Sequence, residues 1–272
     1  MTRPPLTWLY VPGDRPDRVE KALASTADVV IVDLEDAVVA DAKDHARQAT
    51  ADVLGAVEHA RSLQVRINAA GTPWHTDDLA MVAALPPPVG LRLPKAESDE
   101  MVRDVAAKVS GRPLHLLVES ALGLERAYVL ATSGVASIAL GEADLRADLG
   151  VSADEGLLWA RGRIVAAAAA AGLPAPSMSV YADVRDLEGL AESCRVGRSL
   201  GFLGRTAIHP VQLDVIRAAF TPSADEVDRA REVLAAAEAG EAAGLGAVAL
   251  PDGRFVDEAV LRQARSVVAL AP

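Results

Sequence analysis

Residues 114–119 read LHLLVE and residues 137–144 read SIALGEAD. Each is a mostly apolar run that ends on an acid, Glu119 in the first and Asp144 in the second, 25 residues later. The pattern predicts two buried strands, each delivering a carboxylate just before a helix. Neighbouring parallel strands would aim both acids at one point in space. A hard divalent cation suits such a point, because Mg²⁺ takes one or two protein carboxylates and keeps several of its waters. The plainer alternative is that each acid caps the helix after it.

Outward from this pair, the strand-then-helix unit recurs. Trp8–Val11, Asp28–Leu34, Gln64–Ile67, Gly90–Leu93, Ala175–Val180 and Gly201–Thr206 all read as strands, and with the opening pair they make eight. The run DVVIVDL at 28–34 is nearly unbroken in β-branched residues, as expected of a strand covered on both faces. Helical patterns fall near 41–60, 98–109, 154–171 and 186–199, with Ser98 placed to cap the second of them. This count, at a spacing of about 25–30 residues, predicts an α/β fold of the (β/α)8 TIM-barrel type over residues 1–210. An open doubly wound sheet is the runner-up. It lacks its Gly-x-Gly-x-x-Gly phosphate loop after the first strand.

Residues 211–272 are left over. Asp225–Ala239 reads as a helix with Val227, Ala230, Val233 and Leu234 inward, and 240–246 as a Gly/Ala-rich hinge. The remainder, AVALPDGRFVDEAVLRQAR, reads as a hairpin followed by a helix. Such a C-terminal extension would serve as a lid or an oligomer arm within the same single domain.

Composition narrows the partners. The net charge is −11 over 272 residues, which excludes a large nucleic-acid footprint, since phosphate binding needs a basic face. Cys194 is the sole cysteine, so no intrachain disulfide forms, in keeping with a reducing cytoplasm. The opening MTRPPLTWLYVPG has no apolar signal core, and the Ala-rich run at 164–171 is too short to span a bilayer. The expectation is a soluble cytoplasmic protein with no membrane partner.

Polar residues gather at the predicted strand ends, where barrels of this type carry their chemistry. Arg66, in VRIN, could grip a substrate carboxylate through two parallel hydrogen bonds and neutralise a developing enolate, or simply pair with Glu35 or Asp36 across the barrel mouth. Asp33, Glu35 and Asp36 form a DLED cluster whose mutual repulsion calls for a cation nearby; the preferred reading has Glu35 and Asp36 orienting Arg66 or the waters of a metal. Lys95, in LPKAE, has Glu97 two residues on and no sign of the apolar pocket that a Schiff-base lysine needs, so pairing with an acid or a substrate phosphate is favoured. His209 and Cys194 read as structural. No Gly-x-Ser-x-Gly elbow is present.

Taken together, LYVPGDRPDRVEKA, DVVIVDLEDAV, VRIN, LPKAE, LLVESALG, ALGEADLRADLG, GFLGRTAIHPVQ, FTPSADEVDRA and GRFVDEAV resemble, in order and across nearly the whole chain, the citrate lyase β-subunit-like (CitE-like) acyl-CoA lyases of the HpcH/HpaI aldolase superfamily. The resemblance implies a Mg²⁺-dependent TIM barrel, trimeric or built of trimers. It implies that Glu119 and Asp144 bind the metal, that Arg66 and Glu119 contact substrate, and that Asp257 in GRFVD acts as acid/base in a neighbouring subunit's site. One departure is Leu6-Thr7, where many members carry Arg-Ser.

The reaction so implied is reversible cleavage of a short 3-hydroxyacyl-CoA, of the malyl-CoA, citramalyl-CoA or 3-hydroxy-3-methylglutaryl-CoA type, into acetyl-CoA and a keto acid. Catalytic positions would be Asp257, Arg66, Glu35 and Asp36. Two rivals stand beside this expectation: a citrate lyase β subunit acting on an acyl-carrier-protein thioester, and a non-catalytic barrel whose charges serve only ion pairs.

Overall fold

The computed structural model describes residues 3–56, 62–109, 111–242, 248–249 and 255–271. The chain forms two compact units, one of Pro5–Arg217 and one made of the extreme N-terminus with Ala218 onward. In the larger unit, strands β1 (Thr7–Pro12), β2 (Val29–Asp33), β3 (Ser62–Arg66), β4 (Gly90–Leu93), β5 (Leu114–Val118), β6 (Ser137–Leu140) and β7 (Arg205–Ala207) build one sheet. Its order is β6-β5-β4-β3-β2-β1-β7, and every pairing is parallel. Helices α1 (Pro16–Leu23), α2 (Lys43–Ala56), α3 (His75–Ala84), α4 (Asp99–Lys108), α5 (Ala121–Glu125), α6 (Ala127–Ala131), α7 (Glu142–Leu149), α8 (Leu158–Ala170), α9 (Leu187–Ser199) and α10 (Leu213–Phe220) fill the connections.

The local causes are legible. All five residues of β2 are buried, as its β-branched run requires of a strand covered on both faces. Ser98 caps α4 by accepting from the Met101 amide, and Val102 and Val105 go inward. Asp186 caps α9 in the same way, and this helix buries Leu190 and Cys194. His209 caps a 3-10 turn at Pro210–Gln212, so its structural reading holds.

Four expectations need correction, the first being the strand predicted at Gly201–Thr206, which narrows to Arg205–Ala207. Ala175–Val180 is not a strand: Met178 makes one isolated parallel bridge to Arg205, and Leu203, Met178 and Thr206 exchange backbone bonds along 176–206. Pro174 and Pro176 lack the N–H groups that a ladder would need on this segment. Here Gly204 takes φ +76 and lets the backbone of Leu6 approach, where a Cβ would lie 2.7 Å from the Leu6 carbonyl carbon. In the predicted helix over 154–171, residues Asp154–Leu157 form a 3-10 turn and the α-helix begins only at Leu158. Gly240, expected in a hinge, lies within a helix; 57–60 of the predicted 41–60 helix and 243–246 of the hinge lie outside the described residues.

The smaller unit holds α11 (Ala224–Ala242), a two-stranded antiparallel ribbon of β8 (Val248–Ala249) and β9 (Phe255–Val256), and α12 (Glu258–Ala269). Ala230 and Val233 of α11 pack with Val256 and Ala264, so the predicted inward face of this helix is the one it buries. Among the described residues no helix is long and apolar enough to cross a membrane.

Candidate active site

At the C-terminal ends of the strands, a cavity of about 330 Å³ is walled by Tyr10 of β1, Asp33 at the end of β2, Asp36 beyond it, Arg66 of β3, Arg92 of β4, Glu119 after β5 and Asp144 after β6. The topology makes this convergence unavoidable. Parallel strands point the same way, so their polar ends share one rim. β5 and β6 are direct neighbours, with Val118 opposite Leu140, so the acids just beyond them emerge side by side.

Glu119 is buried and does not cap a helix; Ser120 does, accepting from the Gly123 amide. The Glu119 Oε2 atom accepts from the Lys95 amide at 2.9 Å, and burial pushes its carboxyl above the usual range. Lys95 pays a backbone cost to make that bond, since it is a non-glycine residue with φ +50. Oε1 has no hydrogen-bond partner among the described residues. Opposite it lies Gly141, where a Cβ would fall 2.5 Å from Glu119 Cγ, so only glycine leaves the room this carboxylate fills.

Asp144 was expected just before its helix, yet it sits inside the first turn of α7. The helix starts three residues earlier, at Glu142, which Arg161 of α8 pins through two bonds, at 2.9 and 2.7 Å. Ser179 also accepts from the Glu142 amide, at 3.2 Å. Asp144 remains half-exposed, and the Lys95 ammonium lies 3.3 Å from its Oδ2.

Arg66 is the hub of the acidic cluster. Its Nε and Nη2 donate to the two oxygens of Asp33 at 2.7 and 2.6 Å, a bidentate fork. Its Nη1 donates to Asp36 at 3.1 Å and lies 3.2 Å from Glu35 Oε2. The guanidinium stacks on Tyr10, 4.8 Å from the ring centre. The ion pair considered above for Arg66 is therefore present, with Asp33 as its strongest member. Asp33 itself is buried and accepts from the Glu35 and Ala37 amides, which fixes the turn after β2.

Glu35 is buried as well, with its carboxyl pushed up to about 7 by desolvation, against the opposing pull of Arg66. Lys95 donates to its Oε1 at 3.1 Å, so one ammonium joins Glu35 to Asp144. These two acids, rather than Glu97, hold Lys95 in its charged form. Lys43 donates to the Leu34 and Glu35 carbonyls from below. The expected pairing role for Lys95 is thus what the geometry contains.

No group of three His, Cys, Asp or Glu side chains poised for a metal exists among the described residues. The chemistry of the donor set still fits a hard ion that prefers oxygen and keeps its waters: two carboxylates on one cavity wall, one of them buried with an open oxygen. Asp257 lies in the smaller unit, exposed, and caps α12 by accepting from the Val260 amide at 3.0 Å. Thr7 lies at the start of β1 and ties that strand to Asp28, at the opposite end of the strand from Pro12.

Sequence reasoning missed Arg92, Tyr10 and Gly141. A signal for Arg92 was available: an arginine inside GLRL, in a strand otherwise apolar, either breaks the core or serves it.

Residues 6–210 match the family model HpcH/HpaI aldolase/citrate lyase. The chain is 36% identical over 272 residues to a (3S)-malyl-CoA thioesterase of Cereibacter sphaeroides, covering 97% of this chain and 93% of that protein. It is 34% identical over 301 residues to an L-malyl-CoA/beta-methylmalyl-CoA lyase of the same species, covering 98% and 94%. Among solved structures, the protein CitE from Mycobacterium tuberculosis in complex with magnesium, acetoacetate and coenzyme A superposes with a TM-score of 0.85 at 36% identity, covering 99% of this chain and 98% of that one.

Proposed function

Since the chain belongs to the HpcH/HpaI aldolase/citrate lyase family, we propose that it is a Mg²⁺-dependent carbon–carbon lyase which reversibly cleaves a short 3-hydroxyacyl-CoA into acetyl-CoA and a keto acid. The observation that carries this reading is the meeting of Glu119 and Asp144 on one cavity wall, beside an arginine locked in place by three acids. The lyase relative and the magnesium- and coenzyme A-bound CitE structure support it. In this reading the sheet is a closed (β/α)8 barrel, with 176–178 in the eighth position. The C-terminal unit is an oligomer arm or lid in a homotrimer.

Glu119 and Asp144 would hold the metal. Bound Mg²⁺ would supply Lewis acidity toward the departing carbonyl and a template for its carboxylate. In cleavage a base takes the β-hydroxyl proton, the Cα–Cβ bond breaks, and the electron pair passes to the thioester as an enolate. Arg66 already spends three of its five N–H groups on Asp33 and Asp36 and lies in ion-pairing range of Glu35, so it meets that charge in a fixed orientation with N–H groups to spare. Glu35 is a positioning residue that aims Lys95 and Arg66. Asp257 of a neighbouring copy protonates the enolate carbon, or removes that proton from acetyl-CoA in the reverse direction.

The test is incubation of the purified chain with malyl-CoA, citramalyl-CoA and 3-hydroxy-3-methylglutaryl-CoA, with Mg²⁺ or with a chelator. Acetyl-CoA plus a keto acid should form only with Mg²⁺, and Glu119→Ala or Asp144→Ala should abolish the reaction while the fold persists. Full activity of either variant in chelator would overturn the metal assignment. The thioesterase relative favours a second reading, hydrolysis at the same site. Free CoA together with the intact hydroxy acid as products would identify it.

A further inference from the structure

Arg66 and Arg92 stand side by side, directly opposite one another in the β3–β4 register, and both line the cavity. Their surroundings differ sharply. Arg66 meets three carboxylates, whereas no Asp or Glu oxygen among the described residues lies within ion-pairing distance of Arg92. Yet Arg92 is the more deeply buried, at 3% exposure. Its Nε donates to Gln64 Oε1 at 2.9 Å, and its guanidinium is within hydrogen-bonding reach of the Tyr10 hydroxyl. Both partners are neutral, because burial pushes the Tyr10 phenol up and keeps it protonated. Arg66 adds repulsion, which outweighs the pull of the Glu119 carboxylate.

A buried cation that hydrogen-bonds only neutral groups and pairs with no carboxylate is costly, and it draws an anion to itself when one can reach it. Arg92 forms part of the cavity wall, with the apolar Leu117 and Ala139 also lining the same space. A guanidinium presents a planar fork that matches one carboxylate. The cavity therefore offers two separate places for negative charge: the Glu119/Asp144 wall through a metal, and Arg92 directly.

We propose that Arg92 sets specificity by binding a second carboxylate on the carbonyl fragment of the substrate, so that the site prefers a keto diacid to a keto monoacid. This rests on the lyase reading above, in which the first carboxylate belongs to the metal; malyl-CoA, citramalyl-CoA and 3-hydroxy-3-methylglutaryl-CoA each release a keto monoacid, so it points to a substrate of the same class with one more carboxylate on that fragment. Pyruvate and oxaloacetate are the probes, because they differ by a single carboxylate.

Binding of each probe to the full chain is measured by calorimetry with Mg²⁺ present, and the readout is the ratio of the two affinities. A charge-assisted bidentate contact predicts oxaloacetate binding about 30-fold more tightly than pyruvate. In Arg92→Met this ratio should collapse toward one, and Arg92→Lys should restore part of it. Gln64→Glu keeps Arg92 and the side-chain volume but gives it an internal carboxylate, so it too should collapse the ratio. Circular dichroism reports whether Arg92→Met is folded; if it is not, Gln64→Glu decides. Equal affinities in the wild type, or an unchanged ratio in Gln64→Glu, overturns the role of Arg92 alone. Binding of neither probe overturns the lyase reading as well.

Discussion

Replacing Gly141 by alanine tests the site through one methyl group. Gly141 has φ −99 and ψ 86, a backbone that alanine can adopt, so the substitution introduces no positive-φ strain. Its new Cβ would lie 2.5 Å from Glu119 Cγ and 2.7 Å from Cδ, and closer still to Oε1, where ordinary contact begins near 3.4 Å. The carboxylate must retreat by about 1 Å, and displacements of that size at a reacting centre cost on the order of 100-fold in rate. The bond from the Lys95 amide, 2.9 Å long, must stretch or follow. Overpacking predicts a stability loss of about 1–3 kcal/mol, small enough to leave the protein folded. Steady-state cleavage measured against Mg²⁺ concentration, together with urea unfolding, separates the two effects. Gly162, in α8 with open space around its Cβ position, supplies the control: Gly162→Ala should stabilise by about 0.5–1 kcal/mol. If Gly141→Ala keeps its rate and its Mg²⁺ dependence within about 3-fold of wild type, Glu119 is not a group whose position matters at the 1 Å scale.

The remaining predictions concern charge and assembly. Glu35 binds its proton more tightly folded than unfolded, with its carboxyl raised from 4.5 to about 7, so its contribution to stability is whole below pH 4.5 and is lost as pH rises through 7. That loss amounts to about 3 kcal/mol; urea unfolding in chelator at pH 5 and pH 8 should show a larger fall for wild type than for Glu35→Gln, and identical falls would refute the assignment. Asp257→Ala and Glu119→Ala proteins should each be inactive, and co-assembled they should regain part of the activity if the site is shared between copies. Absence of recovery, with mixed oligomers demonstrated by mass spectrometry, would assign Asp257 to capping α12 alone.

The sheet was legible because its strands are buried on both faces: VVIVD and LHLLV are short, nearly continuous apolar runs that end on acids, which suits a covered parallel strand. The meeting of Glu119 and Asp144 was legible because adjacent parallel strands that end on acids leave little choice of direction. What escaped was whatever depends on contacts between segments far apart in sequence. Asp144 falls inside α7 because Arg161, nineteen residues past Glu142, fixes the start of that helix. The segment at 175–180 has the composition of a strand, but its prolines remove donors, and it makes a single bridge. Gly141 looks like an ordinary helix-start residue until the Glu119 side chain is seen filling the space beside it. Gln64 and Arg66 alternate along β3 with apolar residues between them, a period-2 pattern that marks one inward polar face. Recognising Arg92 as its continuation needed the register of β3 against β4.

That register gives the site two arginines with different tasks. Arg66 is restrained by Asp33, Asp36, Glu35 and the Tyr10 ring, so it has one orientation and little charge left to offer a ligand. Such a residue stabilises charge that arises at a fixed place, and its acids keep it from binding any passing anion. Arg92 is held by an amide and a phenol, partners that orient a guanidinium without neutralising it. Exchanging the surroundings of the two would undo both tasks: a neutralised Arg92 recognises nothing, and an uncompensated Arg66 would trap substrate in the ground state, lowering KM without raising kcat. The uneven sharing of acids between neighbouring arginines is therefore a requirement of the chemistry proposed for this cavity, beyond what holding the fold together demands.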